Sequence, residues 1–320
     1  MNPLAAIDCG TNSTRLLLVD GRDGQVARLM RITRLGQGVD ATGMLDPAAI
    51  ARTVAVLDEY RRLLDDHAVG AVRMVATSAA RDASNGQVFL DAAARAIGVP
   101  AELLSGEEEG RLAFAGATSD LSPSGDVHVV VDIGGGSTEL VVGTGAVTAS
   151  EPGRGLGVVS LDLGCVRLTE RFFHHDPPLA EEQAACDSFV AAELARALSV
   201  VPDLEGEDRA GRRLVGLAGT VSTLSMLDQG LREYDWDRVH HSVLALGVVE
   251  HWCAVLLAEP ASARALRAGM VKGRQDVIAG GAVVLREVMR RLGFSHCLVS
   301  ESDILDGLVA SLRHDSGSPG

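Results

Sequence analysis

The sequence predicts an α/β fold of two domains facing each other across a cleft, and three observations carry that prediction. One pattern occurs twice: residues 4–18 read LAAIDCGTNSTRLLL and residues 129–142 read VVVDIGGGSTELVV. In each, an apolar run ends in an aspartate (Asp8, Asp132), a glycine and a cluster of hydroxyl side chains follow, and a second apolar run closes the unit. Two short β-rich runs joined by so few residues read as a hairpin, and the repetition reads as a duplicated unit. Strand-like and helix-like periodicities also alternate through both halves. Finally, 320 residues with 47% apolar content are ample for two cores, which 3% aromatics require to be built from Ala, Val and Leu.

Taken in order, the first hairpin is followed by a strand over 26–35. Asp46 is a helix N-cap with Pro47 at the first helical position, and the apolar spacing runs to Asp66. A strand over 69–77 ends in a turn over 78–85, and a helix over 85–97 precedes a short strand to Leu104. Ser105 and three glutamates then open another helix, with the carboxylates where the macrodipole favours them. Residues 119–125, SDLSPSG, are turn chemistry and divide the chain into 1–123 and 124–320. Beyond the second hairpin come a turn at 144–145, a strand over 147–150 and a loop over 152–157. Helices are expected over 165–173, 181–198, 221–227, 243–257, 261–267 and 277–292, the last starting beside an exposed Lys272–Gly273–Arg274. Strands over 214–217 and 297–300 complete the second sheet. A final helix, about 303–313, is expected to pack back on the first domain, and the tail HDSGSPG to be disordered.

A formal charge of −14 leaves no basic stripe for nucleic acid. A polyanionic ligand would need local neutralisation from N–H groups, a few arginines and a divalent cation. Five scattered cysteines without a CxxC pair fit free thiols in a reducing compartment. With no apolar run approaching 18 residues and no N-terminal h-region, the expectation is a soluble cytoplasmic protein with no membrane partner.

The hairpin turns carry the chemistry. Glycine supplies φ > 0 conformations and lets backbone N–H groups approach an anion with no Cβ in the way. Asn12, Ser13, Gly134, Gly135, Gly136, Ser137 and Thr138 are therefore candidate phosphate contacts, and two such hairpins face to face would clamp a phosphate chain. Gly219–Thr220, at a strand-to-helix junction, is a third glycine–hydroxyl turn. Arg81 either forks onto phosphate oxygens or is an ordinary solvated arginine. Glu107–Glu109 cap their helix or present a general base; about 100° apart, at most one or two of them face the cleft. Asp132 and Glu139, with Asp8 in the first copy, are candidate hard oxygen ligands for Mg²⁺. His174–His175–Asp176 reads as a solvated loop ahead of Pro177–Pro178.

With these residues assembled, the sequence resembles the exopolyphosphatase / guanosine pentaphosphate phosphohydrolase family, within the superfamily of actin, Hsp70 and sugar kinases. The matching stretches are IDCGTNSTRLL (7–17), TSAARDASN (77–85), SGEEEGRL (105–112), VDIGGGSTEL (131–140), LGCVRLTERF (163–172), GLAGTVSTL (216–224) and SESDILDGL (300–308). The resemblance implies two actin-like (ribonuclease H-like) domains with the active site between them. It also implies Mg²⁺-dependent hydrolysis of the terminal phosphoanhydride of inorganic polyphosphate, with guanosine pentaphosphate (pppGpp) as the alternative substrate, and a homodimer; a non-catalytic polyphosphate or nucleotide sensor is the competing reading. Its catalytic glutamate falls on Glu108–Glu109, with Glu109 favoured; Asp132 and Glu139 match metal- and water-positioning residues. Arg81, Asn12, Ser137 and Gly135 match phosphate contacts. Longer members carry a C-terminal helical module beyond the second domain, so the resemblance implies a preference for short polyphosphate chains here.

Overall fold

The computed structural model describes residues 2–22, 24–121, 125–144, 155–205 and 211–317. The expected strand over 147–150 lies outside these, as do part of the 144–145 turn, most of the 152–157 loop and the last three residues.

Two mixed sheets organise the chain. The first contains β1 (Leu4–Cys9), β2 (Ser13–Val19), β3 (Gln25–Ile32), β4 (Ala71–Ala76) and β5 (Ala101–Leu103) in the order β3-β2-β1-β4-β5. The second contains β6 (Val127–Ile133), β7 (Thr138–Thr144), β8 (Gly157–Leu161), β9 (Arg212–Leu217), β10 (Val243–Ala245) and β11 (His296–Val299) in the order β10-β11-β9-β6-β7-β8. Without the edge strand β10, the two orders are the same. In each sheet three antiparallel strands come first and two parallel strands extend the other side. The duplication read from the two hairpins is thus a duplication of whole sheets.

Local chemistry accounts for most boundaries. Asp46 accepts the Ala48 N–H at 2.8 Å, and the helix runs Pro47–Asp66 as expected. Ser105 and Glu108 form a capping box at the start of the helix Gly106–Thr118. Two expectations are corrected. Residues 243–257 do not form one helix: Val243–Ala245 pairs with β11, and the helix is Leu246–Ala258. Ser78–Asp82, expected as a turn, is a helical turn of its own.

The helices that follow the two sheets are exchanged. The helix Gly106–Thr118 packs on β6, β7 and β8, and the last helix, Ile304–Gly317, packs on β1, β2 and β4 and on Gly106–Thr118 itself. These two helices lie in a core shared by both sheets, among Ala6, Leu17, Val75, Phe114, Val130, Val141, Val215 and Leu308. A glutamate in the first turn of Gly106–Thr118 is thereby delivered to the second hairpin. Among the described residues, no helix is long and apolar enough to cross a membrane.

Candidate active site

The two hairpins present equivalent positions with opposite charge. In the first, Asp8 stands directly across from Arg15; in the second, Asp132 stands directly across from Glu139. Arg15 donates to Asp8 Oδ2 from Nε (3.0 Å) and Nη2 (2.7 Å), and also pairs with Asp303. The first hairpin is therefore neutralised internally. The second sets two carboxylates opposite each other, an arrangement that destabilises a sheet unless something offsets it.

Glu109 completes the crowding. It projects from the exchanged helix into the same cavity as Asp8 and Asp132. Asp8 Oδ1, Glu109 Oε2 and Glu139 Oε2 are all buried with no hydrogen-bond partner among the described residues. Burial raises the pKa of each of these acids, and neighbouring carboxylates raise it further: Asp132 to about 7, Glu139 upward beside Asp132, and Glu109 well above the usual range beside Glu139, Asp8 and Asp132. Asp8 is also raised, with Arg15 working against the shift. A pocket of hard oxygen donors carrying excess negative charge fits Mg²⁺ or a similar cation.

Both turns close with the same bond: Gly10 N–H donates to Ser13 O and Gly134 N–H to Ser137 O, each at 3.0 Å. One of the two roles expected for the glycines, the φ > 0 turn conformation, is corrected. Gly10, Gly134, Gly135 and Gly136 all lie outside the left-handed region. What requires glycine is proximity across the cleft: a Cβ on Gly136 would lie 2.4 Å from Ser78 Oγ and 2.9 Å from Thr11 Oγ1. The two loops are packed face to face. With Asn12, Ser13, Gly134–Gly136 and Ser137 they line a cavity of about 390 Å³. Both side-chain polar atoms of Asn12 are buried there without a partner among the described residues.

Other expected residues are placed elsewhere. Glu108 is exposed, its carboxylate spent on Ser105 N–H (2.9 Å) and Ser105 Oγ (2.8 Å), bonds that hold its pKa low; a capping carboxylate is not a base for the cavity. Thr138 is fully buried and donates to Leu163 O, which leaves its hydroxyl no phosphate role. Arg81 lies beside the cavity rather than in its wall, donating to Leu104 O at 2.9 Å with Nη1 3.5 Å from Glu109 Oε2. Glu139 sits behind the wall, 1% exposed, accepting from Ser160 Oγ at 2.7 Å. Gly219 lines the cavity, while Thr220 is buried next to it, its hydroxyl without a partner among the described residues. His174–His175–Asp176 is the exposed loop that was expected, tied down by Glu182, which accepts from the His174 and His175 N–H groups, and by Asp176, which binds Arg264 at 2.7 Å.

Sequence reasoning missed Arg274, which was expected to be exposed. It is 7% exposed, lines the cavity, forms no ion pair among the described residues, and has an unpartnered Nε. Its guanidinium lies flat against Gly219, where a Cβ would come within 1.9 Å of it. Burial lowers its pKa, but a guanidinium stays charged. Glu301, in the same cavity, acts on it from beyond ion-pair distance, and a buried cation held so loosely suits an anionic ligand. Arg167 was also missed: it donates to Gly136 O at 2.7 Å and pairs with Asp40 (2.6 Å) and Asp82, tying the second glycine loop to the first half of the chain.

A model of the Ppx/GppA phosphatase family matches residues 18–315. The chain belongs to that family. Exopolyphosphatase 2 of Mycobacterium tuberculosis is 46% identical over 325 residues, covering 97% of this chain and 98% of the relative. A solved Ppx/GppA family member from Aquifex aeolicus is 32% identical with a TM-score of 0.79, covering 99% of both chains. An exopolyphosphatase from Cytophaga hutchinsonii is 25% identical with a TM-score of 0.86, covering 98% of both. Ppx/GppA likeness thus extends over both sheets and both hairpins.

Proposed function

We propose that this protein is a divalent-cation-dependent exopolyphosphatase that releases terminal orthophosphate from inorganic polyphosphate. The observation that carries the reading is the imbalance at the second hairpin: Asp132, Glu139 and Glu109 are crowded together beneath two facing glycine–hydroxyl loops, with buried carboxylate oxygens left unpartnered. Asp132 and Asp8 would hold the cation, whose charge offsets theirs, that of Glu139 behind them and that of the phosphate oxygens. The loop N–H groups, Asn12, Ser13 and Ser137 grip the terminal phosphates. Arg274, backed by Gly219, neutralises the chain further along. Glu109 takes a proton from the attacking water as the water oxygen bonds to phosphorus and the bridging P–O bond breaks. Arg81 acts through Glu109 by orienting it.

The named relative from Mycobacterium tuberculosis supports polyphosphate as substrate. One observation favours the second reading, hydrolysis of pppGpp. Met30, Met226, Val271, Tyr234 and Trp236 line the same cavity as Arg274, with Glu301 also in its wall. That lining suits a planar base better than more phosphate. Phosphate release measured side by side from short polyphosphate, long polyphosphate and pppGpp separates the two, and release from none of them overturns both. Arg274→Gln is expected to raise KM about tenfold or more, with a smaller change in kcat. An unchanged KM would return Arg274 to a purely structural role.

A further inference from the structure

The surface behind the loop Ser300–Asp303 carries a group of side chains that hydrolysis does not use. Among the described residues, Asp120, His240 and His241 are the one set of three ligand-type side chains whose donor atoms all lie within 4.8 Å of one another. They come from separate places: Asp120 follows the helix Gly106–Thr118, and the histidines follow the helix Trp236–Val239. His240 Nε2 is 2.9 Å from one Asp120 oxygen and His241 Nε2 is 3.6 Å from the other. The two imidazoles stack, with centroids 3.8 Å apart, so both Nε2 atoms face the same carboxylate. Asp120 and His241 are open to solvent.

We propose that this cluster binds a first-row transition metal ion of the Zn²⁺ type, and that occupancy inhibits hydrolysis by displacing the Ser300–Asp303 loop. Two imidazole nitrogens and a carboxylate with one side open are the donor set of an open zinc site. Tetrahedral donors about 2.0–2.2 Å from the ion lie about 3.3 Å from each other, close to the spacing already present. Mg²⁺ prefers oxygen-only, octahedral surroundings, so the site is blind to the cation of the catalytic cavity.

The coupling follows from one proton. Without metal, His240 Nδ1 accepts the Glu301 N–H at 3.1 Å, so the ring proton is on Nε2, donated to Asp120. A metal on Nε2 requires that lone pair. The neutral ring must then carry its proton on Nδ1, where it meets the Glu301 N–H, donor against donor, and the amide has to move away. Asp120 also accepts from Ser302 Oγ at 3.1 Å, a bond that competes with a metal for the carboxylate. Glu301 lines the cavity, and Asp303 pairs with Arg15. A shift of this loop therefore reaches the first hairpin.

The test uses full-length protein saturated with Mg²⁺, so that the catalytic carboxylates are occupied. Titration with Co²⁺, read by its visible d–d absorption, and with Zn²⁺, read by calorimetry, is expected to show one site. His241→Ala, at a half-exposed position outside the catalytic cavity, is expected to keep basal phosphate release while weakening metal binding at least tenfold; Asp120→Asn is expected to do the same to binding. Phosphate release from polyphosphate is expected to fall severalfold with Zn²⁺ in the wild type and not in His241→Ala. Equal binding in wild type and variants, or no binding at all, overturns the site. Binding that is lost in His241→Ala but never inhibits the wild type overturns the coupling. The inhibition arm rests on the hydrolase reading; the Co²⁺ and calorimetric arms do not, so failure of one is distinguishable from failure of the other.

Discussion

Glu109→Gln is expected to lower kcat by roughly 10²–10⁴-fold, the usual contribution of a positioned base, while KM stays within a few-fold. The two adjacent glutamates separate cleanly in their surroundings. Glu109 is partly buried, has a fully buried Oε2 with no hydrogen-bond partner among the described residues, and shares the cavity with Asp8 and Asp132. Glu108 closes a capping box in solvent. Glu108→Ala should therefore leave kcat intact and cost about 1 kcal/mol of stability through the lost cap. Because burial and then neighbouring carboxylates raise the Glu109 pKa, the base is protonated and idle at low pH. Wild-type kcat should climb as pH rises through that pKa, and the climb should vanish in Glu109→Gln. Near-normal turnover in Glu109→Gln would remove Glu109 as the base and leave the reaction without a buried acceptor on that helix.

The contrast between these neighbours marks how far the sequence could be read. Helix geometry says that Glu107, Glu108 and Glu109 diverge by about 100° and that only some can face a cleft. Which one does so depends on the helix lying across β7 and β8, the sheet of the other half, and that exchange has no local signature. The hairpins were legible because their pattern is local: apolar run, aspartate, glycine, hydroxyls, apolar run. Even there one of the two reasons given for the glycines, the left-handed turn, was wrong. The strain of a tight turn is visible in sequence, whereas the close approach of Gly136 to Ser78 and Thr11 is not. Arg274 failed for the same cause. In Lys272–Gly273–Arg274 every local cue says surface, and only Gly219, far along the chain, makes room for the guanidinium inside. Residues 243–257 misled in another way. A continuous apolar run suits a helix or a buried strand, and pairing with β11 claims its first three residues.

The same crowding that equips the cavity should make it a liability without metal, and Asp132→Asn tests this directly. Asp132 titrates near 7 in the folded protein, mainly through burial, against 3.8 when unperturbed. Between those values the folded state holds a proton that the unfolded state has released. Stability of the metal-free protein must therefore fall as pH rises from about 4 to about 7, with the full cost present above that range. Glu139 and Glu109, also raised, add to the cost in the same direction. At pH 8 in chelator, Asp132→Asn is expected to melt several degrees higher than the wild type, because it removes one of the opposed charges at the second hairpin. Its hydrolysis should nevertheless drop by about 10³-fold or more, the scale of losing a group that holds charge at the reacting phosphate. Addition of Mg²⁺ should raise the wild-type melting temperature more at pH 8 than at pH 5, since only the ionised carboxylates bind it. That gain should shrink in Asp132→Asn at both pH values. The first hairpin supplies the control: Asp8 already has Arg15, so Asp8→Asn removes a paired charge, leaves the guanidinium with Asp303 alone, and should bring no such gain in the metal-free protein at pH 8. If Asp132→Asn melts lower than the wild type under those conditions, the second hairpin is balanced by something other than a cation, and the metal assignment fails with it.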